Sequence, residues 1–327
     1  MKQVYSIGPG KTELREVQKP EIKTPDQVLV RLHYCGVCMS EHYDWSIGTN
    51  KPFGHEPVGI VEGVGEKVTR CKVGDRVSGA FSGSSEYVVT REQQIFIIPD
   101  NVSDEEAILE PLACLISAVS KVRIPVIGEK VAVVGCGYMG CGAISLLKKR
   151  GAYVVGVDIN RDSLVNAKRY GADEIYTPDE LPAHYFDRPG NNLGFQSAGF
   201  GFPLVMEWGE TNESLDLAIC MTRMCGQLAI GAYHTGEKRL VDMQQLNVKA
   251  IDCLSTHPRE MDFNLKCYAS AVKMLEDGSW CFKHVPTKVY PVSMFDRAHE
   301  ELPTKFGKYM KAVVDFTRTA FEPYIIE

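Results

Sequence analysis

The sequence predicts an α/β fold in two domains, and three observations carry that reading. The chain has 327 residues, which at ~150 residues per domain suggests two. Its first ~110 residues read as short apolar runs between Gly, Asp and Ser punctuation, the pattern of a barrel-like or sandwich-like unit. From Glu110-Pro111 onward strands alternate with helices, which means a parallel sheet with helices on both faces.

The elements follow in order. Residues 27–35 alternate, with Val28, Val30, Leu32 and Tyr34 on one face, and 59–64, 76–79 and 86–90 are further short strands. Residues 112–122 read as a helix, 131–135 as a strand, 138–150 as a helix and 153–158 as a strand. A helix over 161–170 ends at Gly171, and 174–176 is a short strand. Then come a strand at 204–208, a helix at 213–224 and strands at 227–232 and 248–254. Residues 177–203 are rich in Pro, Gly and Asn without a period. So long an irregular stretch is uncommon inside a compact domain and points to an element the pattern hides. A helix at 261–276, strands at 283–290 and 311–316, and a helical segment at 295–302 close the chain.

Charge narrows the function. There are 36 Lys and Arg against 42 Asp and Glu, a formal charge of −6, so no general field attracts nucleic-acid backbones or anionic lipid. Neither nucleic acid nor membrane is expected as a partner. With 44% hydrophobic and 24% charged residues, the chain has the composition of a folded globular protein. The opening Met1-Lys2-Gln3-Val4-Tyr5 lacks the apolar core of a secretory signal. The longest uncharged stretch, 131–147, is 17 residues and carries spaced glycines; a bilayer-spanning helix needs ~20 apolar residues. The 11 cysteines are scattered and odd in number, which reads as free thiols in a reducing, cytoplasmic setting.

Val131-Ala-Val-Val-Gly135-Cys-Gly137-Tyr138-Met139-Gly140 is a G-x-G-x-x-G between an apolar strand and an apolar helix, and Asp158 ends the next strand 18 residues after Gly140. That context is what a dinucleotide-binding loop requires. Gly135 permits the tight turn, Gly137 lets backbone approach a pyrophosphate, and Gly140 allows helix to pack on strand. The bland alternative is a glycine-rich turn with no ligand. Asp158 can accept from ribose hydroxyls, whereas a 2′-phosphate at ~4 Å would cost about 4 kcal/mol per charge pair at an effective dielectric of ~20. NAD is therefore expected over NADP, with Arg161 as a partial offset. Tyr138, Met139 and Gly231 complete the expected cofactor set.

Two N-terminal segments carry candidate metal ligands, Cys35-Gly-Val-Cys38-Met-Ser40-Glu41-His42-Tyr43 and Gly54-His55-Glu56-Pro57. A thiolate, an imidazole and a carboxylate make a plausible zinc set with a fourth position open. Adjacent His55 and Glu56 point oppositely on a regular strand, so both can ligate only from an irregular turn. Other readings remain: the Cys35-x-x-Cys38 pair lacks the second pair of a structural zinc module, and a lone His in a Gly-Pro turn can be structural.

Together these residues resemble the zinc-dependent medium-chain alcohol dehydrogenase/reductase family. Gly54-His55-Glu56 is followed by Gly59, Gly65 and Val68 and by Gly74-Asp75-Arg76-Val77, and Glu110-Pro111 looks like its sorbitol (polyol) dehydrogenase branch. The resemblance implies a GroES-like β-barrel catalytic domain (1–112), a Rossmann doubly wound parallel sheet (113–260) and a C-terminal return to the first domain (261–327). It implies a catalytic zinc on Cys38, His55 and Glu56, with Glu110 as a ligand or a partner of zinc-bound water. Ser40 would begin a proton relay, against the alternative of a local turn cap. Glu41 would orient His55. The expected activity is hydride transfer between NAD(H) and a secondary alcohol or ketone such as a polyol, sugar or cyclitol, by a homo-oligomer (dimer or tetramer).

The chain departs from the family pattern in three places. Glu41 stands where Asp is usual, and Tyr43 takes the relay-histidine position, with His42 one residue earlier. Only 78–85 separate Val77 from Glu86, too few for the four-cysteine lobe, so one catalytic zinc and no structural zinc are expected. Sixteen residues between Cys38 and His55 make a short loop, and the cleft should be open. Two other readings compete: a zinc-free quinone or enone reductase of the same superfamily, and a redox-inert nucleotide-binding protein. Asp44, Trp45 and His257 either line the cleft or serve packing and capping, and Met221, Met224 and Cys225 read as core of the nucleotide domain.

Overall fold

The computed structural model describes residues 1–124, 126–187, 200–305 and 307–326. It comprises two units, Met1–Ala113 with Glu260–Glu327, and Cys114–Arg259. In the first unit, β1 (Lys2–Gly8) and β2 (Lys11–Glu16) form an antiparallel hairpin. Then come β3 (Gln27–Val37), α1 (Met39–Ile47), β4 (Pro57–Val64), β5 (Arg76–Gly79), β6 (Tyr87–Arg91), β7 (Ile95–Ile97) and α2 (Leu109–Lys121), whose length crosses the division at residue 113. Alternation makes β3 the central strand: Val28, Val30 and Leu32 are buried on one face.

The second unit contains β8 (Lys130–Val134), α3 (Tyr138–Lys149), β9 (Tyr153–Val157), α4 (Arg161–Arg169), β10 (Glu174–Tyr176), β11 (Phe202–Glu207), α5 (Asn212–Met221), β12 (Thr222–Ile230), α6 (Met243–Val248) and β13 (Asp252–Ser255). The chain then returns to the first unit with α7 (Met261–Glu276), β14 (Thr287–Pro291), α8 (Phe295–Glu301), β15 (Lys311–Asp315) and β16 (Tyr324–Ile326).

The large sheet of the first unit runs β16-β14-β15-β3-β4-β5-β7, with β6 also pairing β3. β15 lies antiparallel to the end of β3, with Ala312 opposite Val37, so the last strands of the chain border the segment that carries Cys38. The second unit is a parallel sheet in the order β10-β9-β8-β11-β12-β13. Its strands read as continuous apolar runs because both faces are covered; Val131, Ala132, Val133 and Val134 are all buried. Strand order reverses between β8 and β11, the switch point at which open α/β sheets take ligands.

Several expectations need correction. The strand expected over 248–254 is split: α6 ends at Val248, Ala250 adopts φ 48°, and β13 begins at Asp252. The helix expected over 213–224 stops at Met221, because Thr222 turns extended and opens β12. The hairpin of β1 and β2, the strand β7 and the helix α1 lie outside the elements that the sequence pattern predicts. Of 177–203, the described part holds single turns at Pro178–Glu180 and Ala183–Tyr185 and the start of β11; the rest of that stretch, 188–199, lies outside the described residues. Trp45 is core, 7% exposed, and its indole N–H donates to Asp296 at 2.9 Å. Met221 is fully buried, but Cys225 is exposed at φ 55°.

Candidate functional site

The candidate metal group arises from strand pairing. Cys35 lies opposite Pro57 and Gly36 N donates to Glu56 O at 2.9 Å, so the end of β3 runs beside the bend that opens β4. Cys38, at the N-cap of α1, thereby meets His55 and Glu56 across the intervening loop. The bend is irregular: Gly54 has φ +94°, and a Cβ there would stand 2.3 Å from Ser84 Oγ. That irregularity lets adjacent His55 and Glu56 face one point. Cys38 Sγ, a His55 ring nitrogen and a Glu56 carboxylate oxygen all lie within 4.8 Å of one another. Tetrahedral zinc with Zn–S ≈ 2.3 Å and Zn–N ≈ 2.0 Å sets ligand atoms roughly 3.5 Å apart, so these donors fit the ion with a small closure. Cys35 is a core residue: burial pushes its thiol up to about 12.

Each donor is held from behind. Glu41 Oε1 lies 2.9 Å from His55 Nδ1 and accepts from Gly54 N at 2.7 Å. This contact commits Nδ1 and leaves Nε2 for a ligand. Burial alone would lower the His55 pKa; the bonds to Cys38 and Glu41, with the charges of Glu41 and Glu110, raise it instead. Glu56 is 1% exposed, and its Oε2 lies over Gly36, where a Cβ would stand 1.8 Å away. Its ion-pair partner is Lys311, itself 7% exposed. Desolvation and neighbouring Lys311 push Lys305 down to about 7, against the pull of Cys38 and Glu56. Sequence reasoning missed both lysines; the available signal was a lysine opening β15, a strand buried at all five positions.

The remaining expected residues divide. Ser40 Oγ donates to Cys38 Sγ at 3.3 Å, which puts the hydroxyl beside the donor group. Tyr43 is 41% exposed on α1, whereas His42 turns inward against Trp45 and the fully buried His299, with ring centroids 5.3 and 6.2 Å away. Glu110, in the first turn of α2, stands outside the three-donor group but lines the same cleft as His55. That cleft, about 620 Å³, is walled by Phe81, Ser82, Thr90, Arg91, Gln94 and Tyr268 as well. Asp44 is exposed and Trp45 belongs to the core.

The glycine loop of the second unit can be tested position by position. Gly135 has φ +90°, and a Cβ there would stand 2.7 Å from Gly209 N. A Cβ on Gly140 would stand 1.9 Å from Gly135 O, so α3 packs against the loop only with glycine. At Gly137 a Cβ would meet nothing within 4 Å: the backbone there faces open space, as an approaching pyrophosphate requires. Tyr138 and Met139 open α3, half-buried. Asp158 Oδ2 accepts from Cys136 N at 2.7 Å and Oδ1 from Asn160 N at 2.8 Å, so the carboxylate ties the loop to the end of β9. Burial raises its pKa against those bonds. Arg161 donates to Glu180 Oε1 at 2.5 Å. Gly231 lies flat on the Trp208 indole, where a Cβ would come within 2.5 Å. His257 and Tyr233 meet with their rings tilted, centroids 5.2 Å apart. The residues present fit a dinucleotide.

A β-rich unit with a Cys–His–Glu donor group, joined to a doubly wound parallel unit with a glycine loop, defines the class of two-unit nucleotide-dependent metalloproteins. Residues 24–100 match the alcohol dehydrogenase GroES-like domain. The chain is 33% identical over 205 residues to an alcohol dehydrogenase of Geobacillus stearothermophilus, covering 51% of this chain and 60% of that protein. It is 26% identical over 339 residues to D-xylulose reductase A of Aspergillus niger, covering 90% and 91%. The fold is shared with 2R,3R-butanediol dehydrogenase from Bacillus subtilis at a TM-score of 0.77 and 21% identity, over 96% of this chain and 99% of that one. Residues 24–100 thus carry the GroES-like domain of the alcohol dehydrogenases, and along most of its length the chain is similar to D-xylulose reductase A and, at 25% identity over 96% of this chain, to D-arabitol-phosphate dehydrogenase of Enterococcus avium.

Proposed function

We propose that the chain is a zinc- and NAD-dependent dehydrogenase of secondary alcohols, with a polyol, sugar or cyclitol as substrate. The observation that carries this is the convergence of Cys38, His55 and Glu56 within 4.8 Å. Zinc bound there supplies a Lewis acid that polarises an alcohol or carbonyl oxygen. Cys38, His55 and Glu56 would hold it, with Glu110 lining the same cleft as His55. Glu41 keeps the His55 tautomer, and Lys311 balances the Glu56 charge. A nicotinamide dinucleotide held by the 135–140 loop would supply the hydride acceptor, and the proton of the hydroxyl would leave through the chain's own side chains. Ser40 Oγ, which donates to Cys38 Sγ at 3.3 Å, would take the hydroxyl proton and pass it onward. His42 and Tyr43 are the two candidates for the next step. The cleft beside His55 and Glu110 is lined by Ser82, Thr90, Arg91 and Gln94, donors suited to a polyhydroxylated chain.

All 11 cysteines are free thiols, which supports a reducing, cytoplasmic setting. No described helix is long and apolar enough to cross a membrane. An assembly of two or four copies is our expectation, readable by light scattering. The deciding experiment is elemental analysis followed by NADH formation across a panel of polyols, sugars and ethanol. One zinc per chain and turnover of polyols above ethanol are expected. Two zincs per chain, activity without zinc, or ethanol as best substrate would overturn the reading.

A further inference from the structure

We propose that Glu180 sets the cofactor preference of the nucleotide site by neutralising Arg161, the cation that would otherwise receive a ribose 2′-phosphate. This rests on the dinucleotide reading of the 135–140 loop and goes beyond it, because Asp158 alone does not account for what the structure does with Arg161.

Topology brings the parts together. β10 pairs with β9, Tyr176 beside Val157, and Asp158 N continues the ladder to Tyr176 O at 3.2 Å. Asp158 therefore leaves the end of β9 beside the point where Thr177 leaves β10. Both lie at the carboxyl ends of parallel strands, the side on which such sheets bind ligands. Arg161 is the first residue of α4 and the first cation after Asp158. A guanidinium at a helix N-terminus is an attractive place for a phosphate, since the helix's free N–H groups add to its charge. Left alone, it would work against the discrimination that Asp158 provides.

It is not left alone. Arg161 Nη2 donates to Glu180 Oε1 at 2.5 Å. The other carboxylate oxygen accepts from Thr177 N at 3.2 Å and Thr177 Oγ1 at 2.9 Å, within a reciprocal capping box over Pro178–Glu180. Glu180 is thus anchored by its own turn independently of Arg161. The bond to Arg161, with those to Thr177, holds the Glu180 carboxyl down to about 2, so it is charged across the working range. Asp179 adds a second negative charge near the guanidinium. Both partners are exposed, 70% and 41%, so the pair holds no core together. Its consequence is local charge: a 2′-phosphate would meet Asp158 and a cancelled Arg161.

The test uses Glu180→Gln, which keeps the acceptor oxygen for Thr177 and removes the charge. Calorimetric titration of the purified chain with adenosine 2′,5′-bisphosphate and with ADP-ribose reads binding without turnover. Glu180→Gln is expected to bind the bisphosphate on the order of five- to tenfold more tightly, with ADP-ribose affinity unchanged and the gain shrinking at high salt. The ratio of kcat/KM for NADP to that for NAD should rise by the same factor, through KM, with kcat unmoved. In Arg161→Ala/Glu180→Gln the gain should vanish. Retention of ADP-ribose binding with no gain for the bisphosphate, or an equal gain in the double variant, overturns the proposal. A wild-type chain that binds neither probe overturns the dinucleotide reading as well, and that result is distinct from the other two.

Discussion

Glu41→Ala should weaken zinc binding by roughly 10- to 100-fold, the usual cost of losing the group behind a metal-bound histidine. At about 1.4 kcal/mol per tenfold step, that is about 1.4–2.7 kcal/mol. The size follows from two contacts of one oxygen: 2.9 Å to His55 Nδ1 and 2.7 Å to Gly54 N. The first fixes the imidazole tautomer and its rotation. The second fixes the bend at φ +94° that lets His55 and Glu56 face the same point. Glu41→Gln separates charge from geometry. Its amide oxygen still accepts from both donors, so the loss should stay within about tenfold. Competition against a chromophoric zinc chelator gives the affinities, and thermal unfolding of the metal-free protein shows whether Gly54 has lost its partner. Zinc affinity in Glu41→Ala within threefold of wild type, while Cys38→Ala loses the metal, would refute the argument that this carboxylate preorganises the site.

Three further outcomes are expected. Ser40→Ala should cut kcat about 100-fold with zinc content unchanged, since a positioned proton-transfer group typically contributes ~10²–10⁴-fold; steady-state kinetics and metal analysis on the same sample check it. Asp158→Ala should raise KM for NAD about tenfold and for NADP less, narrowing the preference, because the carboxylate would serve the ribose while also holding Cys136 N. Glu174 sits at the start of β10 with Lys130 Nζ, Tyr153 OH and Tyr176 OH at 2.8–2.9 Å and Tyr185 OH at 2.5 Å. Burial would raise its pKa, but those donors prevail and hold it down to about 2 against an ordinary 4.5. Its stabilising contribution is therefore complete above pH ~4.5 and lost as pH falls toward ~2, about 1 kcal/mol after solvent screening. Glu174→Gln should flatten the fall of Tm across that window, read by calorimetry at a series of pH values.

What the sequence reveals about this fold depends on how local the cause is. The strand at 131–135, the glycine loop and the helix that follows are legible because turn, helix start and both apolar faces lie within twenty consecutive residues. β1 and β2 were not legible: Lys2–Gly8 and Lys11–Glu16 are largely polar, and they pair with each other rather than offering a clear apolar face. α1 escaped because Met39–Ile47 buries only Trp45. The break at Ala250 depends on a left-handed backbone at a residue that gives no warning of it.

The candidate site divides the same way. Cys38, His55, Glu56 and Glu41 could be named from their order along the chain, but Lys311 could not, because it reaches Glu56 only through the pairing of β15 with β3. That distant residue bears on how the Glu56 carboxylate is held in the folded chain. A carboxylate with 1% exposure has no water to stabilise it, and an isolated buried charge costs several kcal/mol. Lys311 supplies the opposite charge from within the fold, and Lys305, lowered to about 7 by desolvation and by Lys311, limits how much positive charge gathers there. The strand that closes the first unit therefore does more than complete a sheet. By folding onto β3 it gives Glu56 a partner, keeps the carboxylate over Gly36 and beside Cys38, and makes the geometry of the donor group a property of the folded chain.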